Sequence, residues 1–319
     1  ALRCAAVVGP EPPSAAPLQA FADTFHVAGF FPSRFNVLYG LAETTGPIAG
    51  NGVVDRSMVQ APPVVLPVSR LALEQFNQLE HLLDQEDMPC ASSRDVLHVV
   101  SSGVPLPHVD VCIVDPDTLL PVTDGLLGEI WVHGPSVSMG YWVVTSNQMS
   151  EASPLPSDAL LHGKRFVRTG DVGVFHENNL FIVGRFADML SLPHQRTASP
   201  HAIEADVARV SGLVAAVVVY MRHDAVTVAV ELSQDVRTAK QGPAMAHTLC
   251  TDILHCVREH HDVPVARIVL VQPGAMRRPI QRWHVQALVD ANDASAIALV
   301  YNSSRRDSDV ACAFEGFLI

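Results

Sequence analysis

The chain has 319 residues, of which 48% are hydrophobic and 17% charged, a composition that excludes an intrinsically disordered protein. The formal charge of −12 argues against a broad nucleic-acid-binding surface, because such surfaces are basic. The longest apolar run, Leu213 to Met221, is far too short to span a bilayer, so we expect no membrane span.

The start of the chain and its cysteines favour a cytoplasmic protein. The opening segment, ALRCAAVVGP, lacks the length and organisation of a signal peptide and is typical of a core strand. We therefore expect the chain to begin inside a domain. The six cysteines show no CxxC pair and no framework spacing, which is typical of reduced thiols packed as small hydrophobic residues.

The N-terminal part of the chain predicts an α/β arrangement. A helical stretch, Leu18 to Ala28, precedes a short strand at Val37 to Tyr39. Leu41 to Thr45 then lies at the end of that strand, which is where ligands bind in α/β sheets. Residues 51–95 are irregular, with one helical piece around Leu71 to Leu83.

Further along, the pattern changes twice. From Gly103 it favours β-strands, among them Val109 to Val114 and Gly128 to Val132, and a strand pair flanks Asn178-Asn179. After Asp188 helices and strands alternate in a compact α+β module. The predicted elements there are helices near 200–210, 244–260 and 281–290 and strands at 215–221, 225–232 and 266–271.

The predicted fold class is α/β plus α+β, in two domains and a tail. Residues 1–186 form the first domain, with a β-subdomain at about 103–186, and residues 187–295 form a small second domain. Residues 296–319 are polar around Ser303 to Asp307, and we expect a poorly ordered tail.

The segment Phe166 to Asp188 carries the strongest chemical signal. It places Asp171 in a tight turn, Thr169-Gly170-Asp171, and Arg185 after a short apolar strand. A carboxylate held on a turn can accept both hydroxyls of a ribose, and a nearby arginine can add donors to the same sugar or to a phosphate. The segment resembles the nucleotide-binding core of the adenylate-forming enzymes, which activate a carboxylic acid as an acyl-AMP.

Two further blocks resemble that superfamily. Tyr39-Gly40-Leu41-Ala42-Glu43-Thr44 is similar to the block in which an aromatic ring stacks on adenine and a glutamate binds Mg²⁺. The resemblance thus implies Tyr39 on adenine and Glu43 on the magnesium of ATP; a packed tyrosine and a solvent-facing glutamate are the alternative. Gly9-Pro10-Glu11-Pro12 resembles the block in which Glu11 approaches the adenine edge, although a plain turn explains it equally well, and Pro10 cannot donate a backbone hydrogen bond.

Within the superfamily the chain looks most like the fatty acyl-AMP ligases. Gly128 to Pro135 and Gly140 to Trp142 match a long signature of mainly structural role, and Ser101 to Pro107 leads into a strand typical of these ligases. Val68 to Gln75 resembles the inserted segment that separates them from acyl-CoA ligases. The resemblance implies the end of a large adenylation domain with a β-barrel-like subdomain, then a small C-terminal domain. It also implies ATP and Mg²⁺ as cofactors, a fatty acid as substrate and an acyl carrier protein as acceptor.

Two departures leave enzymatic activity an open question. The Gly-rich Ser/Thr phosphate loop of the family lies in the half that would precede Ala1, so the missing N-terminal half of the domain is itself an expected partner. Near the C-terminus, Arg278 and Pro279 stand where the family has a lysine that neutralises charge as the carboxylate attacks phosphate. Arg277 or Arg278 is the candidate substitute, although arginine and lysine are not interchangeable at such a site.

Three hypotheses follow. The first is AMP-forming activation of a fatty acid, as part of a longer protein, with transfer to a carrier protein. The second is a non-catalytic relative that acts as a binding or scaffold domain, and the third, weaker one is an acyl-CoA ligase. No histidine is expected to bind a metal, because His194, His201, His255, His260 and His261 lack a matching cluster of ligands.

Overall fold

The computed structural model describes residues 4–9, 11–51, 62–82, 95–145, 148–153, 158–233, 242–278, 280–292 and 295–302. The chain divides into two compact units between Ala187 and Asp188, one residue after the division predicted from the sequence. We call residues before this point the large unit and residues after it the small unit. Of the six cysteines, the four within the described residues are free thiols.

The large unit is rich in strands. Its described helices are α1 (Ala15–Phe25) and α2 (Arg70–Phe76), with 3-10 turns at His26–Ala28, Pro32–Arg34 and Ala42–Thr44. Its described strands are β1 (Ala5–Val8), β2 (Phe35–Leu41), β3 (Gly46–Gly50), β4 (Val65–Ser69), β5 (Val96–Val100), β6 (Val104–Pro105), β7 (Asp110–Val114), β8 (Gly128–His133), β9 (Tyr141–Thr145), β10 (Gln148–Ser153), β11 (Asp158–Leu161), β12 (Lys164–His176) and β13 (Asn179–Arg185).

The first sheet has the order β1-β2-β3-β6. β1 and β2 are parallel, with Val8 opposite Leu38, so their carboxyl ends lie at the same edge of the sheet. At that edge β2 passes closely over the start of β3. A Cβ on Gly40 would lie 2.3 Å from the carbonyl oxygen of Gly46, so only glycine fits where β2 leads into the loop with Glu43.

Helix α1 covers this sheet. The predicted helix at Leu18 to Ala28 is displaced: α1 ends at Phe25, a single 3-10 turn follows, and Gly29 closes it with a left-handed φ of 77°. The helix is held by an aromatic cluster in which Phe30 and Phe35 are buried and packed by Phe21.

The second sheet contains the strands predicted for the β-barrel-like subdomain. It is five-stranded, with the order β11-β12-β8-β7 and β13 paired to β12. Its inward residues Ile113, Ile130 and Leu180 pack against Tyr39 and Ile48 of the first sheet. The first and second sheets therefore share one core, and this brings Tyr39 next to β12.

The segment that resembles the ligase insertion forms β4 and α2. The Ser69 hydroxyl caps the helix by accepting the Ala72 N–H at 3.2 Å, and the left-handed Asn77 ends it. The helix predicted around Leu71 to Leu83 is thus shorter than expected, because Asn77 breaks it; residue 83 lies outside the described residues.

The small unit is a four-stranded sheet with helices on both faces. Its described elements are β14 (Leu190–Ser191), β15 (Thr197–Ala198), α3 (Pro200–Val207), β16 (Val214–Arg222), β17 (Ala225–Leu232), α4 (Gly242–His261), β18 (Val265–Val271), α5 (Arg282–Asp290) and β19 (Ile297–Asn302), with a 3-10 turn at Pro193–Gln195. Alternate residues of β17 serve the two faces: Val228 packs under α3 and α4, and Ala229 packs under α5.

The predicted tail begins too early. Ile297–Asn302 forms β19 and pairs with β18 at the end of the β16-β17-β18-β19 sheet, because its apolar side chains complete the two cores. The remaining predicted tail, 303–319, lies outside the described residues. Within the described part of the chain no helix is long and apolar enough to cross a membrane.

Candidate nucleotide-binding site

The Thr169-Gly170-Asp171 turn is a bulge in β12. Arg168 pairs with Trp131 and Val172 with Glu129, so three residues of β12 face Ile130 alone. Gly170 takes a φ of 73°, a left-handed conformation that glycine adopts without strain. The Thr169 hydroxyl donates to the Ile130 carbonyl at 2.8 Å and accepts the Asp171 N–H at 3.0 Å, which closes the bulge.

Asp171 is held by two partners at the end of this bulge. Its side chain is 1% exposed, and Oδ2 accepts a hydrogen bond of 2.7 Å from the Tyr39 hydroxyl. Oδ1 lies 3.3 Å from Nε of Arg185, the residue opposite Asp171 on β13. Arg185 also donates to the Thr169 carbonyl at 3.3 Å, and its side chain is half exposed. The two predicted ribose-binding residues therefore form an ion pair.

Tyr39 is a core residue in this structure. Its ring is fully buried among Ile48, Ile113 and Ile130. Burial, and then the negative charge of Asp171, raise the pKa of the Tyr39 hydroxyl far above its ordinary value, so the hydroxyl remains a donor. The ring has no open face in this arrangement, and the predicted stacking on adenine would require it to leave the core.

Glu43 lies in the 3-10 turn after β2, at the sheet edge where the sequence places it. The turn is fixed by the buried Thr44, whose hydroxyl donates to the Gly46 carbonyl at 2.7 Å. The Glu43 carbonyl accepts the Ser138 N–H at 2.8 Å, and its carboxylate accepts the hydroxyl of Tyr141. That hydrogen bond raises the pKa of Tyr141, because the negative charge of the acceptor favours the protonated phenol.

An open pocket of about 450 Å³ brings part of the predicted site together. It is lined by Leu41, Glu43, Glu129, Asp158, Val167, Arg168, Thr169, Gly170 and Arg185. Two guanidinium groups and the Glu43 carboxylate therefore face the same space. Asp171 is not among the lining residues, since its oxygens are turned to Tyr39 and Arg185.

Glu11 is exposed and lies just after β1, at the sheet edge that also carries Gly40 and Glu43. It does not line the pocket. Pro10, which weakens the resemblance of this block, lies outside the described residues.

The residues fit a nucleotide-bound magnesium ion better than a protein-built metal centre. Among the described residues no group of three or more His, Cys, Asp and Glu side chains could hold a metal. Glu43 supplies one hard oxygen ligand, and Mg²⁺ commonly takes its other ligands from phosphates and water. Arg168 and Arg185 in the same pocket suit the phosphates or the sugar that would accompany it.

Sequence reasoning missed Glu129, which received only the structural role of its strand. The side chain is 5% exposed and accepts hydrogen bonds from the Gly170 N–H at 3.2 Å, Trp131 Nε1 at 2.9 Å and Arg168 Nε at 2.8 Å. The available signal was an acidic residue within an otherwise apolar strand, since a buried carboxylate requires partners.

In the small unit, Arg278 has a partner. Its guanidinium lies 3.3 Å from Oε2 of Glu231, a carboxylate that is 4% exposed, and the other oxygen of Glu231 accepts the Gly274 N–H. The position of Pro279 lies outside the described residues. Arg278, the candidate substitute for the family's lysine, is thus paired with a residue of the small unit's own sheet.

Comparison with known proteins places these features in a family. The model of the AMP-binding enzymes matches residues 1–142. Long-chain-fatty-acid–AMP ligase FadD26 of Mycobacterium tuberculosis is 30% identical over 280 residues, which are 85% of this chain and 44% of that protein. The 4-hydroxyphenylalkanoate adenylyltransferase of the same organism is 29% identical over 279 residues, 85% of this chain and 42% of that protein. The chain thus spans less than half the length of these curated relatives.

Solved structures share the fold. A structure from a study of fatty acyl-adenylate ligases of E. coli and L. pneumophila matches with a TM-score of 0.72 and 21% identity, over 91% of this chain and 47% of that chain. An adenylation-containing module of a keto acid-selecting NRPS matches with a TM-score of 0.67 and 17% identity, over 91% of this chain and 23% of that chain. From the match to the AMP-binding family and the likeness to FadD26, the chain belongs to the adenylate-forming, AMP-binding superfamily, and within it is similar to the fatty acyl-AMP ligases.

Proposed function

We propose that this chain supplies the ribose-binding part and the small domain of an enzyme that converts a fatty acid and ATP to acyl-AMP and pyrophosphate. The observation that supports the proposal most directly is the Asp171–Arg185 pair, held by Tyr39 at the end of a bulge beside an open pocket. A carboxylate and a guanidinium in this arrangement match the donors and acceptors of a ribose.

Nucleotide binding would exchange the partners within the site. Arg185 is half exposed and can turn toward a ligand, which would free Oδ1 of Asp171 for a sugar hydroxyl while Tyr39 retains Oδ2. Magnesium carried by ATP would replace the Tyr141 hydroxyl at Glu43. We retain Tyr39 as a nucleotide-site residue through its bond to Asp171, and Glu11 as a candidate for the adenine edge.

The candidate catalytic cation, Arg278, gives the least support to the proposed activity. Arg278 is paired with the buried Glu231, and a guanidinium shared with a buried carboxylate is a poorer stabiliser of a developing phosphate charge than a free lysine. This pairing favours the second candidate function, a relative that binds nucleotide but does not catalyse adenylation.

Two partners belong to the proposal. The first is the N-terminal half of the adenylation domain. In the described residues β1 is an edge strand, and its last residue, Val8, is 62% exposed. Val27, in the turn after α1, is 93% exposed. The second is an acyl carrier protein as acceptor, which Val68 to Gln75 supports by resemblance to the ligase insertion. The resemblance of this segment gives no support to the third candidate, transfer to coenzyme A.

The test is an adenylation assay on the longest native form of the protein, with ATP, Mg²⁺ and fatty acids, run without an acceptor, with an acyl carrier protein and with coenzyme A. The acyl-AMP, acyl-carrier and acyl-CoA products are then separated. We expect acyl-AMP. Binding of ATP without acyl-AMP would support the non-catalytic candidate, and acyl-CoA would support the third.

Asp171→Ala in the same protein should weaken nucleotide binding by about 1–3 kcal/mol, because the hydrogen-bond donors that the carboxylate accepts from lose their acceptor. Asp110→Ala is the matched control, since Asp110 only forms a half-exposed ion pair with Lys164 and should leave binding unchanged. Equal ATP affinity in the Asp171 variant and the native protein would remove the ribose assignment.

A further inference from the structure

Glu129 is a buried carboxylate that strand packing alone does not explain. Its neighbours Ile130 and Val132 are apolar and fully buried, as expected of a central strand. A buried charge loses several kcal/mol of solvation unless partners restore it, so an acidic residue is a poor choice for packing. Here both oxygens are satisfied, and one of the donors belongs to the turn that carries Asp171.

The need for this carboxylate arises from the bulge. Because three residues of β12 face Ile130, the N–H of Gly170 has no ladder partner at its place in the strand pairing. Oε1 of Glu129 accepts that N–H at 3.2 Å, while the Thr169 hydroxyl serves the N–H of Asp171. Two side chains thus replace the hydrogen bonds that a regular strand would have made.

The other oxygen accepts two further hydrogen bonds, which hold the carboxylate in place. Oε2 accepts from Trp131 Nε1 at 2.9 Å and from Nε of Arg168 at 2.8 Å. The Arg168 guanidinium also lies over the Trp131 ring, 5.5 Å from its centroid, so it cannot turn without losing this contact as well. Arg168 therefore neutralises Glu129, and the Glu129 side chain has one orientation.

The geometry points to Glu129 as the positioning residue of the nucleotide site. It acts through Asp171: by holding Gly170 in its left-handed conformation it sets the direction in which the Asp171 carboxylate leaves the strand. The ligand that depends on it is a nucleoside monophosphate or its acyl or pyrophosphoryl derivatives. This inference rests on the proposed function of Asp171, but its first test needs no ligand.

The first test compares Glu129→Gln with the native chain. A glutamine offers one carbonyl oxygen to donors that use two, so its NH2 group must face one of them. The carbonyl oxygen of the glutamine will stay with the charged Arg168, so the N–H of Gly170 loses its acceptor. We expect amide exchange at Gly170 and Asp171 to become about tenfold faster, as for one lost hydrogen bond to a charged group, while β7 and β8 keep their protection. Unchanged exchange at Gly170 overturns the inference.

The second test measures AMP affinity, by calorimetry on the same proteins at a temperature where all of them are folded. Glu129→Gln should weaken AMP binding about tenfold, as loss of one such bond predicts. Glu74→Gln is the matched control, a substitution of another buried glutamate, which accepts a hydrogen bond from Arg70 on α2. Trp131→Phe removes a donor to Oε2 but leaves Oε1 on Gly170, and both controls should keep native affinity.

The outcomes separate the two proposals. If Asp171→Ala weakens AMP binding and Glu129→Gln does not, the positioning role is wrong and the ribose assignment stands. If the native chain and Asp171→Ala bind AMP with equal affinity, the ribose assignment fails. The amide exchange rate at Gly170 then still decides whether Glu129 holds the turn.

Discussion

Asp171 lies at a buried position, and each of its oxygens has a donor. A carboxylate that is 1% exposed requires such partners, and Tyr39 and Arg185 supply a hydrogen bond and a positive charge. The arrangement also explains why a tyrosine is required at position 39. A phenylalanine would fill the same space and leave Oδ2 without its partner.

Tyr39→Phe should lower the free energy of unfolding by about 1–3 kcal/mol, because it removes a hydrogen bond to a buried carboxylate. Urea unfolding followed by circular dichroism measures the change. Tyr220→Phe is the control, since its hydroxyl is buried and has no hydrogen-bond partner among the described residues. That substitution should be neutral or stabilising. A loss as large in the control as at Tyr39 would show that the hydroxyl of Tyr39 contributes nothing specific.

At the scale of elements, β12 combines two tasks. Most of its length pairs regularly with β8, β11 and β13, while the bulge at Thr169 to Asp171 interrupts the ladder and carries the carboxylate of the proposed ribose site. Such an irregularity persists only where neighbouring side chains replace the missing backbone bonds. Thr169 and Glu129 do so here.

Gly170→Ala tests the conformation of the bulge. At a φ of 73° an alanine costs about 1–2 kcal/mol, and it should also weaken nucleotide binding by tilting Asp171. Gly163 is an ideal control, because it has a φ of 76° in a surface turn with equally open space around its Cα. Gly163→Ala should cause a similar loss in thermal unfolding and leave nucleotide affinity native. Equal binding defects in both variants would point to general destabilisation.

In the small unit, α3 and α4 are joined by a pair that sequence reasoning did not find. It assigned no acidic partner to His261, yet the buried ring lies 2.8 Å from Asp206 of α3. Burial acts to raise the pKa of Asp206, but the hydrogen bonds and charges of His261 and Arg209 outweigh it and hold that pKa below its ordinary value.

A lowered folded pKa means that Asp206 contributes stability above its unfolded value, about pH 4, and that this contribution disappears as the pH falls through the folded pKa. The native small unit should therefore lose more stability than Asp206→Asn between about pH 5 and pH 3. Denaturant midpoints at several pH values measure this. Asp252→Asn, at an exposed position of α4, should keep the native pH profile. If the denaturant midpoint changes equally with pH in all three proteins, the predicted role of Asp206 is wrong.

At the scale of the whole molecule, the chain consists of two units with separate cores. The core of the large unit joins two sheets around Tyr39 and Ile130, and the small unit has apolar clusters on both faces of its own sheet. Each cluster is built from residues of one unit only. Separate cores imply that the small unit can fold without the large one.

Residues 188–302, produced alone, should unfold in one cooperative transition with the secondary structure seen here, because both faces of the sheet are already covered by α3, α4 and α5. Calorimetry with near-ultraviolet circular dichroism checks this. A version that ends at residue 296 and lacks β19 is the informative comparison and should lose cooperativity. A fully cooperative truncated version would show that β19 is dispensable.

The sequence by itself determined the family, the order of the motifs and the sheet edges at which they lie. These follow from local patterns: short apolar runs define β7, β8 and β16 to β18, Gly40 marks a close approach of two strands, and Gly170 marks a turn that other residues cannot adopt without strain. The positions of Glu43, Asp171 and Arg185 in turns or at strand ends were predictable for the same reason.

Only the tertiary structure decided which side chains bind one another. That Tyr39 binds Asp171, that Glu129 supports Gly170 and that Glu231 holds Arg278 all depend on contacts between residues far apart in the chain. Such contacts leave no periodic pattern in the sequence, because any donor that the fold brings within reach could hydrogen-bond to a buried carboxylate. The same holds for β19, whose short apolar stretch becomes a strand only because β18 offers it an edge.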